Sequence, residues 1–390
     1  MRIITKYEMF LESNKTMLDI IPQSVKDLHK LFKASGKKLY LVGGAVRDFL
    51  TGDTPKDFDL ATDALPDEVL GIIDDKYRTN LQGKSFGVVV AYTKDQPEGM
   101  EIATFREDTS KGRNPEVKLG VTIEQDVKRR DISFNGLFFD LDTNEIVDLV
   151  GGQQDLKDGV TRMIGDPTER FEEDSLRILR AFRFASRYGH PLHKDTEAAI
   201  AKRNQLENID PESGEMKRIS QERVIEEMKK AWKQAKDYNS YLAFFTKFDM
   251  WGQVFPGVDI NTDLVDTKDF VVVFTNLFKN EDTNRLETKL VQEFRIEQEI
   301  TKKIVFLLEL SKMKAEDALD LFRKRQQCAI TDATILEWLR ASNSKSDMLV
   351  KFVGYKPTVS SKELMEQGFS GKELGEEIKR LEIEKFKQML

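Results

Sequence analysis

Two aspartates near the start of the chain, Asp57 and Asp59, have the spacing of a metal-binding pair. They overlap a short run, residues 58–61, that predicts a β-strand. In an extended segment alternate side chains face the same way, so both carboxylates would lie roughly 7 Å apart on one edge. Mg²⁺ prefers one or two carboxylates together with water and substrate phosphates. The alternative is a tight turn followed by a solvated strand end, which is the commoner meaning of an isolated Asp-x-Asp.

A glycine pair upstream of these aspartates favours the metal interpretation. Gly44 follows Gly43, lies thirteen residues before Asp57, and is followed by Arg47. Glycine lets the backbone approach a phosphate closely, and N–H groups and a guanidinium both match its negative charge. We therefore predict that Gly44 and Arg47 contact the triphosphate of a nucleotide held beside the two aspartates.

A second group of chemically capable residues lies on one predicted helix, residues 173–183. Asp174, Arg177, Arg180 and Arg183 recur at steps of three, which places neighbouring members on one face. A carboxylate only accepts hydrogen bonds and a guanidinium only donates them, so Asp174 with Arg177 would match the pairing edge of cytosine or adenine and reject uracil and guanine. Arg180 and Arg183 would meet phosphates at the same cleft. The alternative is a set of ion pairs that only brace the helix.

A third group is the segment 129–135, which we predict to begin a strand. Arg130 and Asp131 would hold a ribose through its hydroxyl groups and so select ribonucleotides. A surface ion pair between the two residues is an equally good interpretation of this segment alone.

Composition limits the classes of function. The 390 residues carry 61 basic and 68 acidic side chains, a net charge of −7, which argues against a protein that coats nucleic acid nonspecifically. Three histidines are too few for a multi-histidine metal hydrolase, and the single cysteine, Cys328, permits no intrachain disulfide. No apolar run is long enough to span a bilayer, so we expect a cytoplasmic protein without a membrane partner.

The pattern of the chain changes near residue 169. Before it, short β-branched and aromatic runs predict strands at residues 39–42, 58–61, 86–92, 100–105 and 132–139. These strands imply a small mixed sheet with flanking helices. The polar stretch 108–116 between them is a candidate moving loop. After residue 169 the spacing is almost wholly helical.

Together these segments resemble the class II tRNA nucleotidyltransferases, the CCA-adding enzymes of bacterial type. Residues 41–62 resemble the family's Gly-Gly-x-Val-Arg-Asp through Asp-x-Asp motif, 129–135 its Arg-Arg-Asp motif, and 173–183 its Glu-Asp-x-x-Arg template motif. Residues 112–117, 219–228 and 362–382 are similar to its flexible loop, following helix and tail. The likeness covers roughly residues 36–390.

The resemblance implies an α+β fold, with a polymerase-β-like nucleotidyltransferase head that contains a small mixed sheet, followed by an all-α neck, body and tail. The expected divisions are an N-terminal extension (1–35), the head (36–155), the neck with the template helix (156–215), the body (216–300) and a tRNA-binding tail (301–390). The extension has no role that we can assign.

The resemblance also implies the activity, which is template-independent addition of CCA to the tRNA 3′ end from CTP and ATP. Asp57 and Asp59 would bind Mg²⁺, with Glu101 as a third catalytic carboxylate, and the flexible loop would include Gly112 and Arg113. The remaining nucleotide-binding residues are those assigned above: Gly44, Arg47, Arg130, Asp131, Asp174, Arg177, Arg180 and Arg183. A monomer or a homodimer is expected.

Three alternatives stay open. The first is an adenine-only tRNA nucleotidyltransferase. A bacterial poly(A) polymerase shares the head motifs but typically has a strongly basic C-terminal region, whereas this one is mixed in charge. A protein of another class, an inactive tRNA-binding module, would be expected to lack an aspartate or a template residue, and none is missing.

Overall fold

The computed structural model describes residues 16–73, 76–110, 116–210 and 214–390. These residues form two compact units, the first comprising residues up to 219 together with 227–244, and the second 220–226 with 245–390. The flexible-loop prediction at Gly112 and Arg113 lies outside the described residues, as do the first fifteen residues of the predicted extension.

A seven-stranded mixed sheet forms the centre of the first unit. Its strands, in chain order with those of two small hairpins, are β1 (Leu39–Val42), β2 (Leu60–Thr62), β3 (Arg78–Asn80), β4 (Val88–Tyr92), β5 (Met100–Thr104), β6 (Arg106–Asp108), β7 (Val117–Leu119), β8 (Phe138–Asp140), β9 (Glu145–Val147), β10 (Glu207–Ile209) and β11 (Met216–Arg218). The spatial order is β3-β4-β5-β2-β1-β8-β9, while β6 pairs with β7 and β10 with β11. Among the described strand pairs of the seven-stranded sheet, only β2–β5 is parallel.

The two faces of this sheet differ in character. On β5, Met100 and Ile102 are fully buried, whereas Glu101 between them is exposed. This alternation follows from the two-residue repeat of a strand. The buried face packs on helix α2, whose Val25, Leu28 and Phe32 are also fully buried. We call the opposite face, which carries Glu101, the site face.

Helices surround the sheet of the first unit. They are α1 (Met17–Ile20), α2 (Gln23–Ala34), α3 (Gly44–Leu50), α4 (Pro66–Ile73), α5 (Ile123–Arg129), α6 (Gly152–Asp158), α7 (Pro167–Glu173), α8 (Leu176–Tyr188) and α9 (Lys194–Lys202), with 3-10 turns at Lys84–Phe86 and Ser133–Asn135. Helices α10 (Gln221–Gln234) and α11 (Tyr238–Lys247) contribute residues to both units.

The second unit is helical. It contains α12 (Trp251–Val254), α13 (Phe270–Leu277), α14 (Thr283–Thr288), α15 (Gln298–Ser311), α16 (Ala318–Cys328), α17 (Asp332–Ala341), α18 (Asp347–Gly354), α19 (Ser361–Glu366) and α20 (Gly371–Met389), with a π-helical turn at Lys289–Glu293 and a 3-10 turn at Ala315–Asp317. The last helix is fixed by a buried carboxylate, because Glu382 accepts hydrogen bonds from the Tyr355 hydroxyl (2.8 Å) and from the backbone N–H of Thr358 (2.6 Å).

The prediction of a strand beginning at residue 129 is wrong. Arg129 ends α5, residues 133–135 form a 3-10 turn, and β8 begins only at Phe138. The cause is local hydrogen bonding by Asp131, which accepts from the next backbone N–H (2.8 Å) and from the Asn135 side chain (3.2 Å). Short polar side chains that bond nearby groups in this way compete with a strand ladder.

The single helix predicted over residues 173–183 is also wrong. Helix α7 ends at Glu173, Asp174 is extended with φ −152°, and α8 begins at Leu176. Asn208 of β10 holds the break open, since its side-chain carbonyl accepts from Ser175 N–H (2.8 Å) and its amide donates to Asp174 (3.0 Å).

The predicted fold class is confirmed, with a mixed sheet in the head followed by a mostly helical remainder. The β10–β11 hairpin is a small exception to the expected all-α remainder. No helix in the described part of the chain is both long and apolar enough to cross a membrane. The division of the helical part into neck, body and tail stays a prediction.

Candidate active site

Asp59 and Glu101 are brought together by the parallel pairing of β2 and β5. Leu60 is the partner of Ile102 in this pair, so the preceding residues, Asp59 and Glu101, are also neighbours. Asp59 lies two residues before Ala61, on the site face, and its carbonyl extends the ladder by accepting from Val42 N–H at 3.0 Å. The topology therefore places the carboxylate of Glu101 beside Asp59, although the two residues are 42 apart in sequence.

The negative charge of Asp59 is poorly compensated. Burial, followed by the negative charges of Glu101 and Asp57, raises the pKa of Asp59 to about 6, and only Arg130 acts in the opposite direction. Like charges at close range disfavour ionisation, and a cation would reverse this effect. The donor set of Asp57, Asp59 and Glu101 thus has the chemistry of a divalent-cation site. Within the described ranges, however, no three acidic, histidine or cysteine side chains already converge as a metal-binding group.

The glycine turn follows the last residue of β1, Val42, whose N–H bonds the Asp59 carbonyl. Gly43 has φ +60° and donates its N–H to the Leu137 carbonyl at 3.1 Å, and Gly44 begins α3. A left-handed backbone of this kind favours glycine, since a β-carbon would strain it. A β-carbon on Gly43 would also lie 3.9 Å from Arg130 Nη1, which places that arginine next to the turn.

Arg47, predicted to contact the triphosphate, points into the protein. It is 5 % exposed, donates to the side chains of Asn135 and Asp48, and lies 5.6 Å and 5.5 Å from the ring centroids of Phe184 and Tyr188. These contacts tie α3 to α8. The triphosphate role of Gly44 and Arg47 stays a prediction.

Arg130 and Asp131 do not pair with each other. Arg130 donates Nε and Nη2 to Asp126 at 3.0 and 2.9 Å, and its guanidinium carbon lies 4.6 Å from the centroid of Phe138. Asp131 instead accepts from Arg180 Nε at 2.7 Å. Burial would raise the pKa of Asp131, but the Arg180 guanidinium and the hydrogen bonds from Ile132 N–H and the Asn135 side chain together hold this pKa well below its usual range.

Asp126 is a residue that our sequence analysis missed. It is 1 % exposed and accepts from Arg129 Nε at 2.8 Å and from the backbone N–H of Arg106 at 3.1 Å, in addition to Arg130. Burial opposes its ionisation, yet Arg130 and Arg129 lower its pKa overall. The spacing of Asp126 to Arg129 and Arg130, i to i+3 and i+4, was the available signal.

Asp174 and Arg177 both line one pocket of about 850 Å³. Asp174 lies at the break between α7 and α8, and Arg177 is in the first turn of α8. Arg177 donates Nη1 to Glu173 at 2.6 Å, which fixes its guanidinium at the wall. The structure thus brings the two proposed base-reading residues to one cavity.

Three further arginines line this pocket, Arg106, Arg129 and Arg170, and none was predicted. Burial, and then the positive charge of Arg177, lower the pKa of Arg170 to about 10. Each of these three arginines is in an ion pair, Arg106 with Asp108, Arg129 with Asp126 and Arg170 with Glu173. These arginines come from separate elements, so no local sequence pattern groups them.

Arg183, predicted to contact phosphate, is buried in an ion pair. Its Nε donates to Glu227 and its Nη1 to Gln234 (2.7 Å), both on α10, and its guanidinium carbon lies 4.1 Å from the Phe184 centroid. Glu227 is 2 % exposed. In this structure Arg183 joins two helices of the first unit.

We expect Arg183→Ala to lower the free energy of unfolding by about 3–5 kcal/mol, because it leaves the Glu227 carboxylate buried without its partner. Urea denaturation measures this decrease. Lys30→Ala, which removes an exposed ion pair to Asp27 on the same unit, is the control and should cost less than about 1 kcal/mol. Equal small decreases in both variants would contradict a bracing role for Arg183.

Comparisons with known proteins identify the domain and the fold that contain this site. Residues 39–162 match the family model described as the Poly A polymerase head domain. The chain is 34 % identical over 253 residues to Poly(A) polymerase I of Salmonella typhimurium, covering 62 % of this chain and 51 % of that protein. It is 38 % identical over 195 residues to the CCA-adding enzyme of Bacillus subtilis, covering 49 % and 47 %. The chain therefore spans about half the length of the curated relatives it matches.

A solved structure, the Bacillus stearothermophilus CCA-adding enzyme in complex with CTP, is similar with a TM-score of 0.68 at 23 % identity, covering 92 % of this chain and 91 % of that one. The resemblance noted in the sequence is thereby confirmed at the level of the head domain and the fold. Residues 39–162 match the poly A polymerase head domain, and the chain has the fold of the solved CCA-adding enzyme.

Proposed function

We propose that this protein adds CCA to the 3′ end of tRNA, using CTP and ATP in a reaction that depends on Mg²⁺. The observation that carries the proposal is that one structural unit combines two features. The first is the set of carboxylates around Asp59, and the second is the 850 Å³ pocket that contains Asp174 and Arg177. The first suits nucleotidyl transfer and the second suits selection of a base without a nucleic-acid template.

Asp57 and Asp59 are the proposed Mg²⁺ ligands, with Glu101 as the third carboxylate. When bound, the metal supplies positive charge that activates the primer 3′-hydroxyl and stabilises the leaving pyrophosphate. The primer hydroxyl attacks the α-phosphate in line with that leaving group. The carboxylates carry the negative charge that this arrangement requires, and positioning and charge neutralisation provide most of the rate acceleration.

Arg130 is proposed to hold the nucleotide ribose. Arg130 lies beside Gly43 and is close enough to Asp59 to lower the pKa of that carboxyl. It is therefore near both the glycine turn and the carboxylates. The buried Asp126 fixes its guanidinium through two hydrogen bonds. Asp131 holds Arg180 in a corresponding way, so these two proposed nucleotide contacts each have a carboxylate that positions them.

Asp174 and Arg177 are proposed to read the base. The carboxylate accepts from the amino group of cytosine or adenine, and the guanidinium donates to the adjacent ring nitrogen. Uracil and guanine present the opposite order, so their buried polar groups would stay unpaired, which is a strong form of discrimination.

An incorporation assay tests the proposal. The purified protein is incubated with Mg²⁺ and with tRNAs that end at the discriminator base, at C or at CC, with CTP and ATP offered separately and together. We expect stepwise growth to CCA, no growth beyond it, and loss of incorporation in EDTA.

Other outcomes identify other functions. Growth only on CC ends would mean an adenine-adding enzyme. A long A tail would mean a poly(A) polymerase. This is the main alternative, because the chain is 34 % identical over 253 residues to a Poly(A) polymerase I. RNA binding without any incorporation would overturn the catalytic proposal.

A further inference from the structure

A second pocket lies in the head, near the outer strand β3. It has a volume of about 480 Å³ and is lined by Lys76, Arg78, Tyr92, Thr93, Lys94 and Pro97. Lys76, Arg78 and Lys94 form no ion pair with any residue in the described ranges. We call these six residues the basic pocket.

The strand register places the basic pocket on the site face. Glu101 is the partner of Val90 on β4, and Arg78 is the partner of Tyr92 on the same strand. Val90 and Tyr92 are two residues apart, so their side chains lie on one face. Arg78 and Tyr92 therefore lie on the same face of the sheet as the carboxylates. The basic pocket shares no lining residue with the 850 Å³ pocket of Asp174 and Arg177, which we call the nucleotide pocket.

The distance between the two sites follows from the sheet. Strands lie about 4.8 Å apart and rise about 3.3 Å per residue, so the backbone of Arg78 is about 12 Å from that of Glu101. The path crosses Val90, which is only partly buried. A ligand that enters the carboxylate site along this face would thus pass the basic pocket.

The cations of the pocket are partly ordered. The guanidinium carbon of Arg78 lies 4.5 Å from the centroid of Tyr92, a cation–π contact that holds its donors in one place. A nearby acid, Asp95, accepts from the Thr93 hydroxyl (2.7 Å) and from the backbone N–H of Ser24 (3.2 Å), and forms no ion pair with the three cations in the described part of the chain. Two lysines and a stacked arginine around an open cavity suit a phosphate group better than a neutral ligand.

We propose that the basic pocket binds backbone phosphates of the RNA primer, upstream of the 3′-hydroxyl that reacts at Asp59. This inference rests on the proposed function for its choice of ligand. It predicts that the head itself, and not only the helical remainder, contributes to RNA affinity. Because Arg78 contacts phosphate and not the base, the contact is independent of RNA sequence.

The test compares RNA binding by Arg78→Ala and Lys94→Ala, singly and together, with Lys157→Ala. Lys157 is an exposed residue of α6 outside both pockets, and its substitution removes the same single charge. The probe is a fluorescent tRNA ending in CC, and anisotropy gives its dissociation constant across a salt series without nucleotide. Incorporation of ATP into the same RNA gives KM for RNA, KM for ATP and kcat.

Each single substitution in the basic pocket should weaken RNA binding roughly 3- to 10-fold and raise KM for RNA by the same factor, with kcat and KM for ATP unchanged. The slope of the logarithm of affinity against the logarithm of salt should fall by roughly 0.7–0.9 for each phosphate that the variant no longer neutralises. Arg78→Lys, which keeps the charge, should recover most of the affinity.

RNA affinity and a salt slope equal to those of Lys157→Ala would overturn the phosphate site, as would a wild-type protein that does not bind this RNA. The proposed function fails by a different result, which is RNA binding by the wild type without incorporation. In that case the anisotropy comparison still decides whether the basic pocket binds RNA.

Discussion

Asp59→Asn should reduce nucleotide incorporation by about 1000-fold or more and, at neutral pH, raise the thermal stability of the metal-free protein. The loss of activity follows because the amide cannot supply the negative charge of a metal ligand, and electrostatic groups of this kind are each worth about 10²–10³ in rate. The gain in stability follows from the raised pKa of Asp59, about 6, which means that its charged form is unfavourable in the folded state.

The sign of the predicted stability change follows from the pKa of Asp59 in the folded and in the unfolded protein. Its pKa is about 6 when folded and near 3.8 when unfolded, so the folded state binds the proton more tightly. Above pH 6 the folded protein must hold a charge that the unfolded chain accommodates in water, which costs at most about 3 kcal/mol. Wild-type stability should therefore increase as the pH falls from 7 towards 4, through this group, and Asp59→Asn should lack that contribution.

Melting temperatures with and without Mg²⁺ measure the effect independently of activity. Mg²⁺ should raise the melting temperature of the wild type and raise that of Asp59→Asn less, because the cation offsets repulsion that the variant no longer has. Asp67→Asn, at an exposed carboxylate of α4 that pairs with Lys84, is the control and should change neither stability nor incorporation appreciably. Normal turnover by folded Asp59→Asn would refute the metal assignment.

Arg177→Ala should relax the exclusion of UTP while weakening the use of CTP and ATP. The guanidinium is the proposed donor to the ring nitrogen of the correct base, and a hydrogen bond to a charged group is worth roughly 10- to 100-fold in kcat/KM. UTP carries an N–H at that position, which opposes the Arg177 donors. Removing the arginine removes this clash, so the preference for CTP over UTP should fall roughly 100-fold.

Single-nucleotide incorporation into tRNA lacking CCA, with each of the four nucleotides in turn, gives these ratios. The ratio of kcat/KM values is the relevant quantity, since an overall loss of activity affects all four nucleotides equally. Arg162→Ala, an arginine outside the nucleotide pocket, serves as the control and should retain the selectivity. Strict preference for C and A in active Arg177→Ala would show that another group reads the base.

Local patterns in the sequence were sufficient for much of the fold. β1 occurs at the predicted residues 39–42, and β4 and β5 occur within one or two residues of the predicted runs. The change from short strands to helices after residue 169 is also observed, apart from the β10–β11 hairpin. These features depend on the two-residue and 3.6-residue repeats of apolar side chains, which are short-range properties of the chain.

Two predicted elements are wrong for different reasons, one because of a residue distant in sequence and the other because of local side-chain hydrogen bonds. The helix over 173–183 satisfies helical spacing, yet Asn208, some thirty residues later, holds it broken at Asp174. The strand from residue 129 is replaced by a turn because Asp131 bonds its own neighbours. The periodicity of apolar residues predicts neither the Asn208 contact nor the local hydrogen bonds of Asp131.

The order of residues along the chain is enough to identify the groups available for chemistry: the Asp57–Asp59 pair, the glycine turn and the Asp174–Arg177 pair. How these groups are used depends on the fold. It placed Glu101 beside Asp59, joined Arg130 to Asp126 and Asp131 to Arg180, and buried Arg183 against Glu227. The physical reason is that ion pairing depends on distance in space, and a buried charge must find a partner wherever the fold provides one. Residue spacing along the chain limits those choices only within a single helix or strand.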